Sequence, residues 1–177
     1  MEEILEKIKE DKEFIEIVGD LLENKTVLEM KEYRQHYETS CYDHCLEASY
    51  YCYKICKKFN LDYVSTARAA MVHDLFLYNW RERQPDRKGL HAFTHPRTSY
   101  ENACKIMEIN DLQKDVILKH MWPLTIKLPK YKESYILTLV DKYCALSESY
   151  HEIRSKYFKK KAFRFAYVLL SIFIIRL

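Results

Sequence analysis

The sequence places a histidine and an aspartate side by side, His73 and Asp74, inside the apolar stretch 69–78. Either side chain is unfavourable among large apolar residues, because burial without a partner costs several kcal/mol. A metal ion would supply that partner, since imidazole nitrogen and carboxylate oxygen are both common metal ligands. The pair is therefore the first candidate for a metal site.

Four more residues of ligand type flank this pair along the chain. His44 precedes it in another predicted helix, and Asp141 follows it in the apolar run 136–141. Two further histidines, His95 and His120, lie between the pair and Asp141. The complete order is H…HD…H…H…D, with its members on, or in the case of His95 just before, successive predicted helices. Six residues of ligand type in this order are a much more specific signal than a His-Asp dipeptide, which is common by chance.

This order resembles that of the HD-domain superfamily of metal-dependent phosphohydrolases, in the branch that holds two metal ions. The resemblance covers roughly residues 35–150. It implies an all-α fold, an HD-domain-like helical bundle with the metal site at its centre. The ligands of the first metal would be His44, His73, Asp74 and Asp141. His95 and His120 would add ligands for a second metal, and Asp74 would bridge the two.

The activity that the resemblance implies is hydrolysis of a small phosphoester, such as a nucleotide, by water that a metal ion activates. Asp74 would be the catalytic residue, because it would hold or deprotonate the attacking water. The cofactor would be one or two divalent ions (Fe, Mn, Co, Zn or Mg), and a histidine-rich site favours a transition metal over Mg. Candidate substrate-binding residues are His36, which lies close to His44 in the chain, and the cations Arg97 and Lys142, which lie beside predicted ligands.

Two other functions stay open. Some superfamily members with the six-ligand pattern hold a di-iron centre and use oxygen to cleave a carbon bond. The fold could also be a non-catalytic binding module with a purely structural metal, although degenerate members usually lose ligands and this chain has all six. His91, four residues before His95, is an alternative to it as a ligand; we favour a position for His91 at the mouth of the pocket.

Composition favours a single helical domain. The chain has 177 residues but only two glycines and four prolines, which indicates long helices and short loops. We expect N-terminal helices over residues 1–34, the catalytic core over 35–150 and a helical extension over 151–177. A net charge of +3 is too small to indicate a nucleic-acid partner. A homo-oligomer is compatible with the sequence.

Two helix boundaries affect where the candidate ligands lie, and a third concerns the N-terminal helices. The helix that carries the His-Asp pair is predicted to extend to about Tyr78. Pro96 is typical of a helix's first turn, so His95 is expected just before a helix and after an exposed loop over 80–94. Nearer the N-terminus, Thr26 is predicted to cap a helix.

Four of the six cysteines, Cys41, Cys45, Cys52 and Cys56, share one stripe of a predicted helix. One straight helix cannot surround a metal with four ligands, and such neighbours make poor disulfide partners. We interpret them as small buried hydrophobic residues of a cytoplasmic protein.

The C-terminal apolar segment is too short to span a membrane. Its charge-free part, residues 165–175, has 11 residues, whereas a span needs about 20. We expect a core or interface helix there.

Overall fold

The computed structural model describes residues 2–36, 39–82 and 89–156, together with 167, 168, 170–172 and 174. This part of the chain is all-α apart from one small two-stranded ribbon, as the sequence predicts. Its elements are α1 (Glu2–Glu10), α2 (Lys12–Leu22), α3 (Lys25–Leu28), a 3₁₀ helix (Glu29–Glu32), β1 (Arg34–His36), β2 (Thr39–Ser40), α4 (Cys41–Lys58), α5 (Tyr63–Met71), α6 (His91–Ala103), α7 (Asp111–Lys119) and α8 (Lys132–Lys156).

Polar side chains at the helix starts explain where most helices begin. Five helices start after a residue whose side-chain oxygen accepts a backbone N–H of the first turn: Asp11, Asn24, Ser40, Asp62 and Asn110. Each cap satisfies a donor that the helix itself cannot pair. The prediction of Thr26 as a cap is wrong, because its backbone N–H donates to Asn24 instead.

Helix α4 lies at the centre of the bundle. It packs against α5 and α8, α5 packs against α7, and α6 also packs against α7. The four cysteines of α4 are all buried, which confirms their interpretation as packing residues. All six cysteines of the chain are free. The antiparallel ribbon β1–β2 leads directly into α4.

The prediction that the His-Asp pair lies on a helix is wrong: the pair lies in the turn after α5. Helix α5 ends at Met71, and the N–H of Val72 bonds to carbonyls three and two residues back, which tightens the last turn. Three residues beyond Asp74, Leu77 adopts φ 48°, a left-handed conformation that is unfavourable for a branched side chain. The chain therefore leaves the helix axis at the point where the pair lies.

Helix α6 begins earlier than predicted, at His91, so His95 lies within it. Gly89 has φ 111°, a conformation that glycine adopts without a steric cost, and it turns the chain into the helix. Pro96 lies inside α6 rather than in its first turn. The predicted loop over 80–94 is thus wrong for residues 91–94, and residues 83–88 lie outside the described part.

One of the last described residues, Tyr167, packs against the C-terminal part of α8. Helix α8 continues to Lys156, beyond the expected end near Tyr150. The ring of Tyr167 stacks on that of Tyr150 at 4.7 Å, and Ile174 is buried. Among the described residues no helix is long and apolar enough to cross a membrane. Most of the segment predicted as a C-terminal helix lies outside the described residues.

Candidate metal centre

Five separate elements bring the predicted ligands to one point in the bundle. They contribute His44 from the first turn of α4, His73 and Asp74 from the turn after α5, His95 from α6, His120 from the end of α7 and Asp141 from α8. Five of the six are buried, and the Asp141 side chain is 14% exposed. These side chains can lie in apolar surroundings because their polar atoms face one another.

The ligand atoms fall into two groups that share Asp74. Within each group they all lie within 4.8 Å of one another, close enough for one metal ion to contact every member. The first ligand group comprises His44, His73, Asp74 and Asp141. The second ligand group comprises Asp74, His95 and His120.

In the first ligand group, the carboxylate of Asp141 lies between two imidazoles. Its Oδ1 is 3.1 Å from Nε2 of His44 and 3.6 Å from Nε2 of His73. The latter nitrogen is also 3.6 Å from Oδ2 of Asp74, and it is buried with no hydrogen-bond partner among the described residues. A buried polar atom without a partner is costly, and a cation among these atoms would remove that cost.

In the second ligand group, two imidazoles face each other. Nε2 of His95 lies 2.8 Å from Nε2 of His120, and these atoms are 3.1 and 3.6 Å from Oδ1 of Asp74. Two neutral rings cannot both accept at this contact, because the lone pairs would repel. The contact is stable only with a cation or a proton at this point, so this group also fits a metal ion.

Backbone carbonyls orient three of the imidazoles. Nδ1 of His73, of His95 and of His120 each lies 2.7–2.9 Å from a carbonyl oxygen three or four residues earlier. A carbonyl can only accept, so Nδ1 carries the hydrogen and Nε2 of the neutral ring has a lone pair for the site. This arrangement is typical of metal-binding histidines.

Glu148 orients the fourth imidazole, and sequence reasoning missed this role. Its Oε1 lies 2.9 Å from Nδ1 of His44, whose Nε2 faces the site. Carboxylate, imidazole and metal in a row recur in metalloproteins, because the carboxylate fixes the ring and increases its basicity. The available signal was the spacing: Glu148 follows Asp141 by two helical turns and therefore lies on the same face of α8.

The charges of the site balance internally. Burial raises the pKa of Asp74, but His73 and His95 hold it well below its usual range. The pKa of Asp141 is also lowered, against burial, by its imidazole neighbours. Burial lowers the pKa of His120 to about 3, with His95 acting in the same direction, so this ring is neutral. In His44 and His73, burial lowers the pKa, but nearby acidic groups outweigh it and hold the pKa above its usual value, so a metal ion would displace a proton from these two rings.

The three predicted substrate-binding residues differ in their positions. Lys142 is half-buried beside the centre, and its Nζ donates to the carbonyls of His120 and Thr138 at 3.4 and 3.3 Å. The Arg97 side chain is 81% exposed, and its Nε donates to Glu101 on the surface of α6. The side chain of His36 lies outside the described part.

His91 does not join either ligand group. It is the first residue of α6, and its ring stacks on that of His95 with the centroids 4.5 Å apart. The hydroxyl of Tyr78 lies 3.1 Å from its Nδ1. His91 is half-buried, so it lines the approach to the second ligand group rather than its interior.

Comparison with known families agrees with this geometry. The family model described as HD domain matches residues 41–146, more than half of the chain, and this range contains all six candidate ligands and Lys142. No curated protein and no solved structure matches the chain. Because the match covers more than half of the chain and contains every candidate ligand, the chain belongs to the HD-domain family.

Proposed function

We propose that the protein is a metal-dependent phosphohydrolase that cleaves a small phosphoester, such as a nucleotide. The observation that carries the proposal is the pair of ligand groups joined by one carboxylate, Asp74. Two cations a few ångströms apart are typical of enzymes that displace a leaving oxygen from phosphorus. HD-domain proteins as a family are generally metal-dependent hydrolases, which supports the same class of reaction.

The proposed ligands are the six residues of the two groups. His44, His73 and Asp141 would hold the first ion, His95 and His120 the second, and Asp74 both. When bound, the ions would lower the pKa of water to supply a nucleophile at neutral pH and would neutralise charge on the phosphate oxygens. Four imidazole ligands favour Mn, Fe, Co or Zn over Mg.

Asp74 is the proposed catalytic residue because of its position and its charge. Its two oxygens face different groups: Oδ1 lies near His95 and Oδ2 near His73. Its lowered pKa keeps it ionised at neutral pH. An ionised carboxylate between the two groups can orient a water molecule by accepting a hydrogen bond from it as that water attacks phosphorus.

Lys142 is the proposed contact for a phosphate oxygen. It is next to Asp141 in the chain, and within the described part of the chain its ammonium group donates hydrogen bonds to two neutral carbonyl oxygens. Exchanging one of these for a phosphate oxygen would add a charge-assisted hydrogen bond, which is stronger than a neutral one. Arg97 would have to leave Glu101 to reach a substrate; its role and that of His36 stay predictions.

The test is metal analysis by mass spectrometry of the full chain, together with hydrolysis of a panel of substrates. Nucleoside monophosphates and p-nitrophenyl phosphate are followed by phosphate release. Cyclic nucleotides and dinucleoside polyphosphates, which yield nucleotides and no free phosphate, are followed by chromatography of the products. We expect two equivalents of a transition metal and hydrolysis that continues without oxygen. Bound iron with oxygen consumption and no hydrolysis would identify an oxygenase instead. Metal-loaded protein that is inert in both assays would indicate a binding module.

A further inference from the structure

A column of stacked side chains runs from the protein surface to the second ligand group. The imidazoles of His91 and His95 stack at 4.5 Å with 23° between their planes. The indole of Trp80 stacks on His91 at 5.4 Å and 18°, and the guanidinium of Arg81 lies 5.0 Å from the centre of the indole. The column therefore consists of Arg81, Trp80, His91 and His95, from exposed to buried.

Contacts at the edges hold the rings of the column in place. The hydroxyl of Tyr78 lies 3.1 Å from Nδ1 of His91, and the ring of Phe76 meets His91 edge-on at 4.7 Å. Nε1 of Trp80 donates to the carbonyl of Arg34 in β1 at 3.2 Å. Neither Trp80 nor His91 can turn without losing one of these contacts.

The innermost ring of the column needs such support. One hydrogen bond, from Nδ1 to the carbonyl of His91, fixes the ring of His95. The ring could still tilt about this single bond. The stack on His91 restrains that tilt, and it directs Nε2 toward His120 and Asp74. A metal ligand has to be held within tenths of an ångström, so a support of this kind affects affinity directly.

One short segment contains both the shared ligand and the outer two residues of the column. Asp74 and Trp80 are separated by five residues, and Leu77 between them has φ 48°. Strained residues persist only where the surrounding structure holds them, and they are concentrated at functional sites. Here the turn at Leu77 is followed by Tyr78 and Trp80, both of which contact His91.

We propose that Trp80 and His91 are positioning residues that orient His95 and thereby set the affinity of the second ligand group for its metal. Neither is itself a ligand. The inference rests on the proposed function, because it assumes two metal sites. It predicts that the first ligand group is independent of the column, since no residue of the column belongs to that group.

The experiment titrates the full chain with Mn²⁺ alone and follows free and paired Mn²⁺ by electron paramagnetic resonance. We expect two equivalents for the wild type. Trp80→Ala should weaken the second equivalent about tenfold or more, the effect of losing a residue that supports a ligand, and leave the first unchanged. The signal of the Mn²⁺ pair should disappear at limiting metal. Trp80→Phe, which keeps a stacking ring, should restore most of the affinity.

A matched control is Tyr167→Ala, which removes a ring stacked on Tyr150, outside the centre. It should bind both equivalents as the wild type does. His91→Ala serves as the second test variant and decides the question if Trp80→Ala does not fold.

Two results would overturn the inference: Trp80→Ala and His91→Ala with wild-type affinity for both equivalents, or an equal loss at both sites. An equal loss at both sites would indicate that Trp80 and His91 have a general structural role. Wild-type protein that takes up a single equivalent would instead contradict the two-metal function, and the inference would fail with it. The two failures are distinguishable, because only the latter is seen without a mutation.

Discussion

Oε1 of Glu148 lies 2.9 Å from Nδ1 of His44, while Nε2 of the same ring faces the carboxylate of Asp141 at 3.1 Å. The imidazole is thus held between two carboxylates from one helix. Burial lowers the pKa of His44, but Glu148 and Asp141 more than offset this and hold it above its usual value. One carboxylate belongs to the candidate centre, and the other orients the ring from behind.

Glu148→Gln should weaken metal binding at the first ligand group. The amide can still bond to His44, but it lacks the negative charge that makes the ring a better ligand. Loss of such a partner lowers metal affinity about 10–100-fold. The measurement is competition for Co²⁺ against a chelator. Glu133→Gln is the control, because this buried glutamate of α8 accepts from the backbone of Asp62, outside the centre. Equal affinity for all three proteins would show that Glu148 has no part in the site.

Asp74→Ala and His95→Ala should differ in how many ions they lose. Asp74 belongs to both ligand groups, so its removal should abolish tight binding of both ions and phosphate release. His95 belongs only to the second, so one ion should remain and excess metal should partly rescue the rate. Metal stoichiometry and turnover are measured side by side, with Thr98→Ala on α6 as the control. If His95→Ala keeps the metal content and the rate of the wild type, His95 is not a ligand, the two-metal interpretation is wrong and a single-metal centre at the first ligand group is left.

Lys142→Met should impair turnover without changing metal content. Removing a donor that stabilises developing charge on an oxygen costs on the order of 10²-fold in rate. Lys142→Arg should retain part of the activity, since it keeps the positive charge. The comparison is kcat and KM for the best substrate of the panel, with the exposed Lys132→Met as the control. An unchanged kcat/KM would remove Lys142 from the proposed mechanism.

Asp115 should stabilise the fold in a pH-dependent way. Its Oδ2 accepts from Ser134 Oγ and Lys130 N at 2.7 and 2.8 Å, which closes the loop between α7 and α8. Burial raises the pKa of Asp115, but the bonds from Lys119 and Ser134 outweigh it, so the folded-state pKa lies below the unfolded one. The stabilisation is therefore complete above the unfolded pKa, about 3.9, and is lost as the pH falls through the folded value.

Asp115→Asn should accordingly lower the free energy of unfolding by about 1–3 kcal/mol at pH 7. The difference from the wild type should shrink as the pH falls below about 4. Urea denaturation at a series of pH values measures it, with the exposed Glu108→Gln as the control. A difference that is constant down to pH 2 would mean that the charge of Asp115 contributes nothing.

The sequence by itself determined the family and the identities of the candidate ligands. Both depend on residue types and their order, which can be read without coordinates. It also determined the helix start after Ser40 and limited two others to Asp62 or Ser65 and to Asn110 or Asp111, because a cap acts on backbone groups two or three residues away. The all-α fold follows from the same local information, since breakers are so few.

Only the tertiary structure decided how these residues combine. The division into two groups that share Asp74, the support of His44 by Glu148 and the stack of Trp80 on His91 each join separate elements. His44 and Glu148 are 104 positions apart in the chain, and no local periodicity encodes such a contact. The sequence predicts an end of α5 near Tyr78 rather than at Met71, because local information does not include the long-range contacts of His73 and Asp74. The apolar run favours a longer helix, but burial of His73 and Asp74 against the other ligands takes the chain off the helix axis.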